Sequence, residues 1–288
     1  MSSFLKEYSR QAKLYIDLPS QGHYYNDKEV LKDNQYSSVP VFGMNAMDEI
    51  TFKTPDALLS GTATTEVMQS CIPHIQDPWN IVGFDIDYIL IAIRIATYGD
   101  TMNIETACPH CSAIHENDVM LTKILENFAN CPVTNSFDVD GFKINLRPLS
   151  YRENTDFSMQ NFALERQVLA INNNSDLKRE DKETQLQEVF KQSSKLNLLV
   201  AVSHIESIEK NGLVEALSEN ILEFIENNDA VFYGKLRDNI KELTEKWNLP
   251  NIDIQCVAED CGKPYKTKLN LDYSNFFGAR SLNSRNLI

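Results

Sequence analysis

The sequence predicts an α+β fold, mostly α-helical, in which a helical insert separates two short cysteine-bearing hairpins. Three observations predict it. A capping box, with Ser150 as N-cap and Glu153 three positions on, opens a stretch that reads as helix to about Trp247. Just before it, "FDVDGFKINL" alternates apolar and polar residues around Asp140-Gly141, the strongest short hairpin signal. Two close cysteine pairs, Cys108 with Cys111 and Cys256 with Cys261, then flank this block on either side. The expected division is residues 1–134 with the first cysteine turn, 135–249 with the hairpin and helical insert, and 250–288 with the second turn packing on the first, plus a tail.

The elements follow in order. "LYIDLPSQGHYY" carries Pro19 and Gly22 among aromatics, and "VPVFGM" reads as a strand. In "TPDALLSG", Thr54 is placed as an N-cap, Pro55 at the first helical position, Asp56 at the positive end of the dipole and Gly61 past the carboxyl end. Thr64 or Thr65 is expected to cap the next helix, through Ile75. "FDIDYILIAIRIATYG" places Ile86, Ile89, Leu90, Ile93 and Ala96 at helical spacing and ends at Gly99, which indicates a central core helix. Arg94 lies inside that apolar stripe. Buried charge is costly, so it is expected to pair with a nearby Asp or with loop carbonyls, and it is given no functional role. From Ser150 onward, Gly212 and Asn227-Asn228-Asp229 break the chain into three to five helices, and Pro250 closes the block.

Composition limits the function. The chain has 288 residues, of which 42% are hydrophobic, enough for a full core. Its net charge of -14 would repel a polyphosphate backbone, so nucleic acid is not an expected partner. The amino terminus lacks the basic start and apolar stretch of a secretory signal. The longest apolar run, residues 86–96, is about half the roughly 20 residues needed to cross a bilayer. A soluble protein made in a reducing cytosol is expected, and there six cysteines point to thiols or metal ligands more than to a disulfide framework.

Both cysteine spacings fall in the range of structural zinc ligands, where a tight turn aims two sulfurs and some backbone amides at one ion. Six cysteines scattered at random would give roughly 0.3 such close pairs, so finding two argues for a purpose. The flanks agree. Asn103-Ile104-Glu105 precedes Cys108 as Asn251-Ile252-Asp253 precedes Cys256. Apolar residues recur after the second cysteine at Val119 and Leu121 in one copy, and at Leu269 and Leu271 in the other. Each copy reads as strand, cysteine turn, strand. Two such hairpins related by a pseudo-twofold would make a four-thiolate zinc site of the zinc-ribbon kind, with Cys108, Cys111, Cys256 and Cys261 as ligands. Four protein ligands leave no position for water, which makes the ion structural. The alternatives are ordinary buried thiols or a disulfide or redox pair, with His110 and His115 as possible substitute ligands. Cys71 and Cys131 are expected to be core thiols.

The usual catalytic patterns do not occur in the sequence. It has no Gly-rich phosphate loop, no His-Glu-x-x-His and no Gly-x-Ser-x-Gly elbow. His23, His74 and His204 are isolated, and helix caps or solvated faces account for Asp85 with Asp87 and Glu259 with Asp260. A non-enzymatic structural or interaction protein is therefore expected.

The ordered series "YIDLPSQGHYY", "VPVFGMNAMDEITFKTPDALLSGTATTEVMQSCIPHIQDPW", "DIDYILIAIRIATYG" and "CPHC" resembles the baseplate hub and hub-assembly proteins of T-even-like, contractile-tailed bacteriophages. The likeness covers residues 12 to about 120, and "GFKINLRPLSYRE" fits it. It implies a protein without catalytic residues that binds other baseplate and tail proteins, and no nucleic acid, membrane or small-molecule substrate. Its place would be the tail baseplate of the virion, the host cytoplasm during assembly, or both. Residues 19–23 and 47–50 are candidate partner contacts, although a Gly/Pro turn and a strand end explain them equally well.

Two rivals remain. One is a zinc-ribbon regulatory or nucleic-acid-binding module, for which Lys263, Lys266 and Lys268 form a small basic face beside Glu259 and Asp260. The other is a thiol oxidoreductase using Cys108 or Cys111. The tail "NFFGARSLNSRNLI" is either an arm that orders on a neighbouring subunit or a frayed terminus.

Overall fold

The computed structural model describes residues 9–25, 29–54, 60–129 and 135–269. Of these, 49% are helical and 21% are in strands, a mixed α and β composition. The expected helix at 55–60 falls mostly outside the described residues, as do Cys131, Leu271 and the tail from 270. The chain forms two compact units, Met1–Cys131 with Asn248–Ile288, and Pro132–Trp247.

In the first unit, β1 (Ala12–Ile16) pairs antiparallel with β2 (Val39–Phe42), setting Ile16 opposite Val39. Helix α1 (Ala46–Phe52) starts at a capping box. The Asn45 side chain accepts from the Met47 and Asp48 amides, and Asp48 accepts back from the Asn45 amide. Helix α2 (Thr62–Cys71) corrects the expected start. Gly61, at φ 75, is its N-cap, and Thr64 and Thr65 lie buried inside the first turns. Glycine reaches the left-handed region without a Cβ penalty and so lets the helix begin earlier. The helix also stops short of Ile75, because Ile72 precedes Pro73 and is pushed out of the helical region.

Helix α3 (Gly83–Tyr98) is the core helix, and Gly99 ends it as expected. Residues Tyr88 to Arg94 are all buried, so it is packed on every side. Arg94 lies with its guanidinium 4.6 Å from the centre of the Tyr98 ring. Asp85 is neither a cap nor solvated. It is fully buried, accepts from the Ser20 amide at 3.0 Å and from the Tyr25 hydroxyl, and so pins the turn that contains Pro19 and Gly22.

The chain then runs through β3 (Thr101–Ala107), β4 (Ile114–Met120) and α4 (Leu121–Ala129). Asp100 accepts from the Thr122 amide at 2.7 Å, which fixes the hairpin to the start of α4.

The second unit opens with β5 (Ser136–Val139) and β6 (Phe142–Leu146), turning at Asp140-Gly141 with φ 48 and 78. Two long helices follow, α5 (Tyr151–Asn173) and α6 (Arg179–Ser203), the first capped by Ser150 and Glu153 as expected. The block then departs from an all-helical reading. β7 (Ile205–Lys210) and β8 (Leu213–Glu215) form another hairpin, and the sheet order is β5-β6-β7-β8. Gly212 is a turn residue here and not a helix break. Asn211 and Gly212, at φ 53 and 79, repeat the turn of Asp140-Gly141, and Ile205 and Ile208 pack into the core as strand residues. His204 sits at the helix-to-strand joint, where its carbonyl accepts from the Arg147 amide at 2.8 Å. Burial holds its imidazole below the usual range. Helices α7 (Ser218–Glu226) and α8 (Ala230–Glu245) complete the unit, with Phe142, Phe224 and Phe232 meeting ring to ring.

Candidate metal centre

Each cysteine pair lies in the turn of its own two-stranded sheet. The first is β3 with β4, and the second is β9 (Ile252–Gln255) with β10 (Pro264–Thr267). The return strand of the second hairpin stops before Leu269, which is nevertheless buried.

The two turns are built alike. The amide of Cys108 donates to the Ala113 carbonyl at 2.9 Å, and that of Cys256 to the Lys263 carbonyl at 3.0 Å. The first sulfur of each pair accepts from the amide two residues on, His110 for Cys108 and Ala258 for Cys256. The residue after each second cysteine, Ser112 at φ 60 and Gly262 at φ 57, is left-handed, which curls the second sulfur back toward the first. The shared shape is what the repeated Asn-Ile-Glu and Asn-Ile-Asp flanks encode.

The hairpins pack together through Ile254, Tyr265, Cys108 and Cys256, with Ile104 and Ile252 at the margin. The hydroxyls of Thr106 and Tyr265 hydrogen-bond across the seam at 2.7 Å. The four sulfurs of Cys108, Cys111, Cys256 and Cys261 all lie within 4.8 Å of one another, an arrangement that could hold a metal ion. Cys108 is 3.9 Å from Cys261 and Cys111 is 3.6 Å from Cys256, sulfur to sulfur. Metal–sulfur bonds of about 2.3 Å at tetrahedral angles require edges of about 3.8 Å, so the donor set fits such an ion with little movement.

Electrostatics give the same picture. Burial raises the Cys108 thiol, but the His110 and Cys111 amides outweigh it and bring the group down to about 6. Cys256 is desolvated and faces three other sulfurs, and it is pushed up to about 12. Without a cation the four thiols cannot all ionise together, and a divalent ion removes that conflict.

His115 is placed at the rim, with Nε2 3.0 Å from the Cys256 sulfur, whereas His110 is exposed. Neither this contact nor the Thr106–Tyr265 bridge is signalled by spacing, since both join residues about 140 to 160 positions apart. The remaining candidates do not join the cluster. Cys71 is a buried thiol beside Asp48 and Arg10, raised to about 12 by burial. His23 is exposed, His74 is half-buried, and Glu259 and Asp260 are exposed. On the basic face, Lys266 lies 3.7 Å from Asp253. No described helix is long and apolar enough to cross a membrane.

No curated protein and no solved structure matches the chain. A family model, described as T4 bacteriophage base plate protein, matches residues 44–278, which span the first cysteine turn, the second unit and the second cysteine turn. With most of its length matched, the chain belongs to the T4 bacteriophage base plate protein family.

Proposed function

We propose that this protein is a non-enzymatic structural or assembly component of the baseplate, in its hub region, held together by one structural zinc ion bound by Cys108, Cys111, Cys256 and Cys261. The family match over residues 44–278 is the observation that carries this reading. The proposal treats the two hairpins as halves of a split zinc-ribbon-like site. Residues 135–249 are an inserted domain between an N-terminal region, 1–134, and a C-terminal one, 250–288. Four sulfur ligands fill a tetrahedral ion, leaving no open position at which water could be activated. The ion then stabilises the fold and takes no part in chemistry. The protein acts by binding other baseplate and tail subunits, in the finished virion, in the host cytoplasm during assembly, or in both.

The test has two arms. Zinc analysis of the purified protein should give one ion per chain, and passing the protein through a mixture of purified tail components should retain specific baseplate subunits. Retention of none would overturn the assembly reading. A filter-binding assay at low salt that found sub-micromolar, salt-sensitive affinity for nucleic acid would replace it with a nucleic-acid-binding one.

A further inference from the structure

Helix α5 carries two apolar stripes on opposite sides. Phe157, Leu164, Val168 and Ile171 face α6 and pack around Val189 and Leu196. A second set, Met159, Phe162, Arg166 and Leu169, recurs at intervals of three, four and three residues. At about 100° per residue this set points away from the first. It is solvated: Met159 is 50% exposed, Phe162 45% and Leu169 60%. A helix with apolar residues on two faces is built to lie between two neighbours, and α6 supplies only one.

The stripe also specifies what covers it. Its spacing is a palindrome about position 164. When a second α5 is laid antiparallel across it, Met159 meets Leu169 of the other copy, and Phe162 meets Arg166. This satisfies the twofold rule that if residue i contacts j, then j contacts i. Charge agrees. Arg166 is the only charged residue among the four, so the seam holds no carboxylate, and its guanidinium already lies 5.9 Å from the centre of the Phe162 ring of its own helix. In the pair, each cation would sit against the other copy's electron-rich ring face. The stripe therefore complements itself.

We propose that the exposed face of α5 is a homodimer interface, an antiparallel helix pair centred on residue 164 and sealed by two reciprocal Phe162–Arg166 contacts. One helix seam buries on the order of half the roughly 800 Å² per partner of a standard interface, so the dimer is concentration-dependent.

Sedimentation equilibrium of the full chain up to about 500 µM tests it. The wild type should show a monomer–dimer equilibrium, and Phe162→Lys, which sets like charges against Arg166 of the other copy, should weaken it at least about tenfold while keeping the far-UV circular dichroism of the wild type. The register is tested by charge pairing. Met159→Glu with Leu169→Lys places opposite charges together at both ends and should retain the dimer, whereas Glu at both positions should abolish it. A wild type that stays monomeric, a dimer indifferent to Phe162→Lys, or equal loss in both double variants would overturn the proposal.

Discussion

The Nε2 atom of His115 lies 3.0 Å from the Sγ of Cys256, bringing a half-buried imidazole of the first hairpin onto the sulfur of the second. An N–H donated to a metal-bound thiolate spreads its charge and holds the ligand in place. His115→Ala should therefore lower zinc affinity about 10- to 100-fold, as loss of outer-shell partners does. His115→Gln, which keeps a donor, should retain most of it. Competition against a chromophoric chelator measures both, and an alanine variant as tight as wild type would reduce the contact to coincidence.

Removing the proposed zinc ion should loosen the joint between the two hairpins first. Structural zinc contributes on the order of 10 kcal/mol, comparable to the whole stability of a domain. Treatment with a strong chelator, or Cys256→Ser, should speed amide exchange in β9 and β10, where Ile252 pairs with Thr267, and lower the thermal midpoint sharply. Unchanged exchange after complete metal loss would show that the hydrophobic seam of Ile254 and Tyr265 suffices alone.

Asp85 links stability to pH. Burial raises its carboxyl from 3.8 to about 6, against the opposing hydrogen bonds from Ser20 and Tyr25. The folded state therefore binds this proton more tightly than the unfolded one does, and stability falls as pH rises from about 4 to about 6. A shift of about two units corresponds to roughly 3 kcal/mol. The difference in urea-unfolding free energy between wild type and Asp85→Asn, followed from pH 4 to 7, should change by an amount of that order. A constant difference would mean that the carboxyl stays ionised.

Two glycines should respond in opposite directions. A Cβ at Gly43 would meet the Ala96 carbonyl oxygen at 2.9 Å, and the segment after β2 is held there because the Met44 amide donates to Thr97 and Arg10 donates to the Gly43 carbonyl. Gly43→Ala should cost about 1–3 kcal/mol. Gly234, inside α8, has open space around it, so Gly234→Ala should add roughly 0.5–1 kcal/mol through helix propensity. Thermal unfolding of the pair checks both signs.

Features encoded by adjacent residues were legible in the sequence. Asp140-Gly141 fixed a hairpin, Ser150 with Glu153 fixed a helix start, Gly99 ended the core helix, and the cysteine spacings marked both turns. Asn211-Gly212 carries the same turn chemistry, but the apolar run before it, ending in Ile205 and Ile208, fits a helix as well as a strand. Only the neighbouring β6 decides that ambiguity, by pairing Ile144 with Ile208. Thr64 and Thr65 look like caps by residue type, yet the left-handed Gly61 starts the helix earlier. The contacts of His115 and Tyr265 depend on two hairpins meeting in space, and no local pattern announces them.

Cys111 and Cys256 stand 145 positions apart and meet sulfur to sulfur. At about 5–20 residues per second, a ribosome needs on the order of ten seconds to deliver the second turn after the first has emerged. Through that interval the earlier thiols are open to oxidation or to a borrowed ion. A chain whose translation stalls within the intervening block never brings the four sulfurs together, so the four-sulfur site proposed above would form only in polypeptides continued through Cys261.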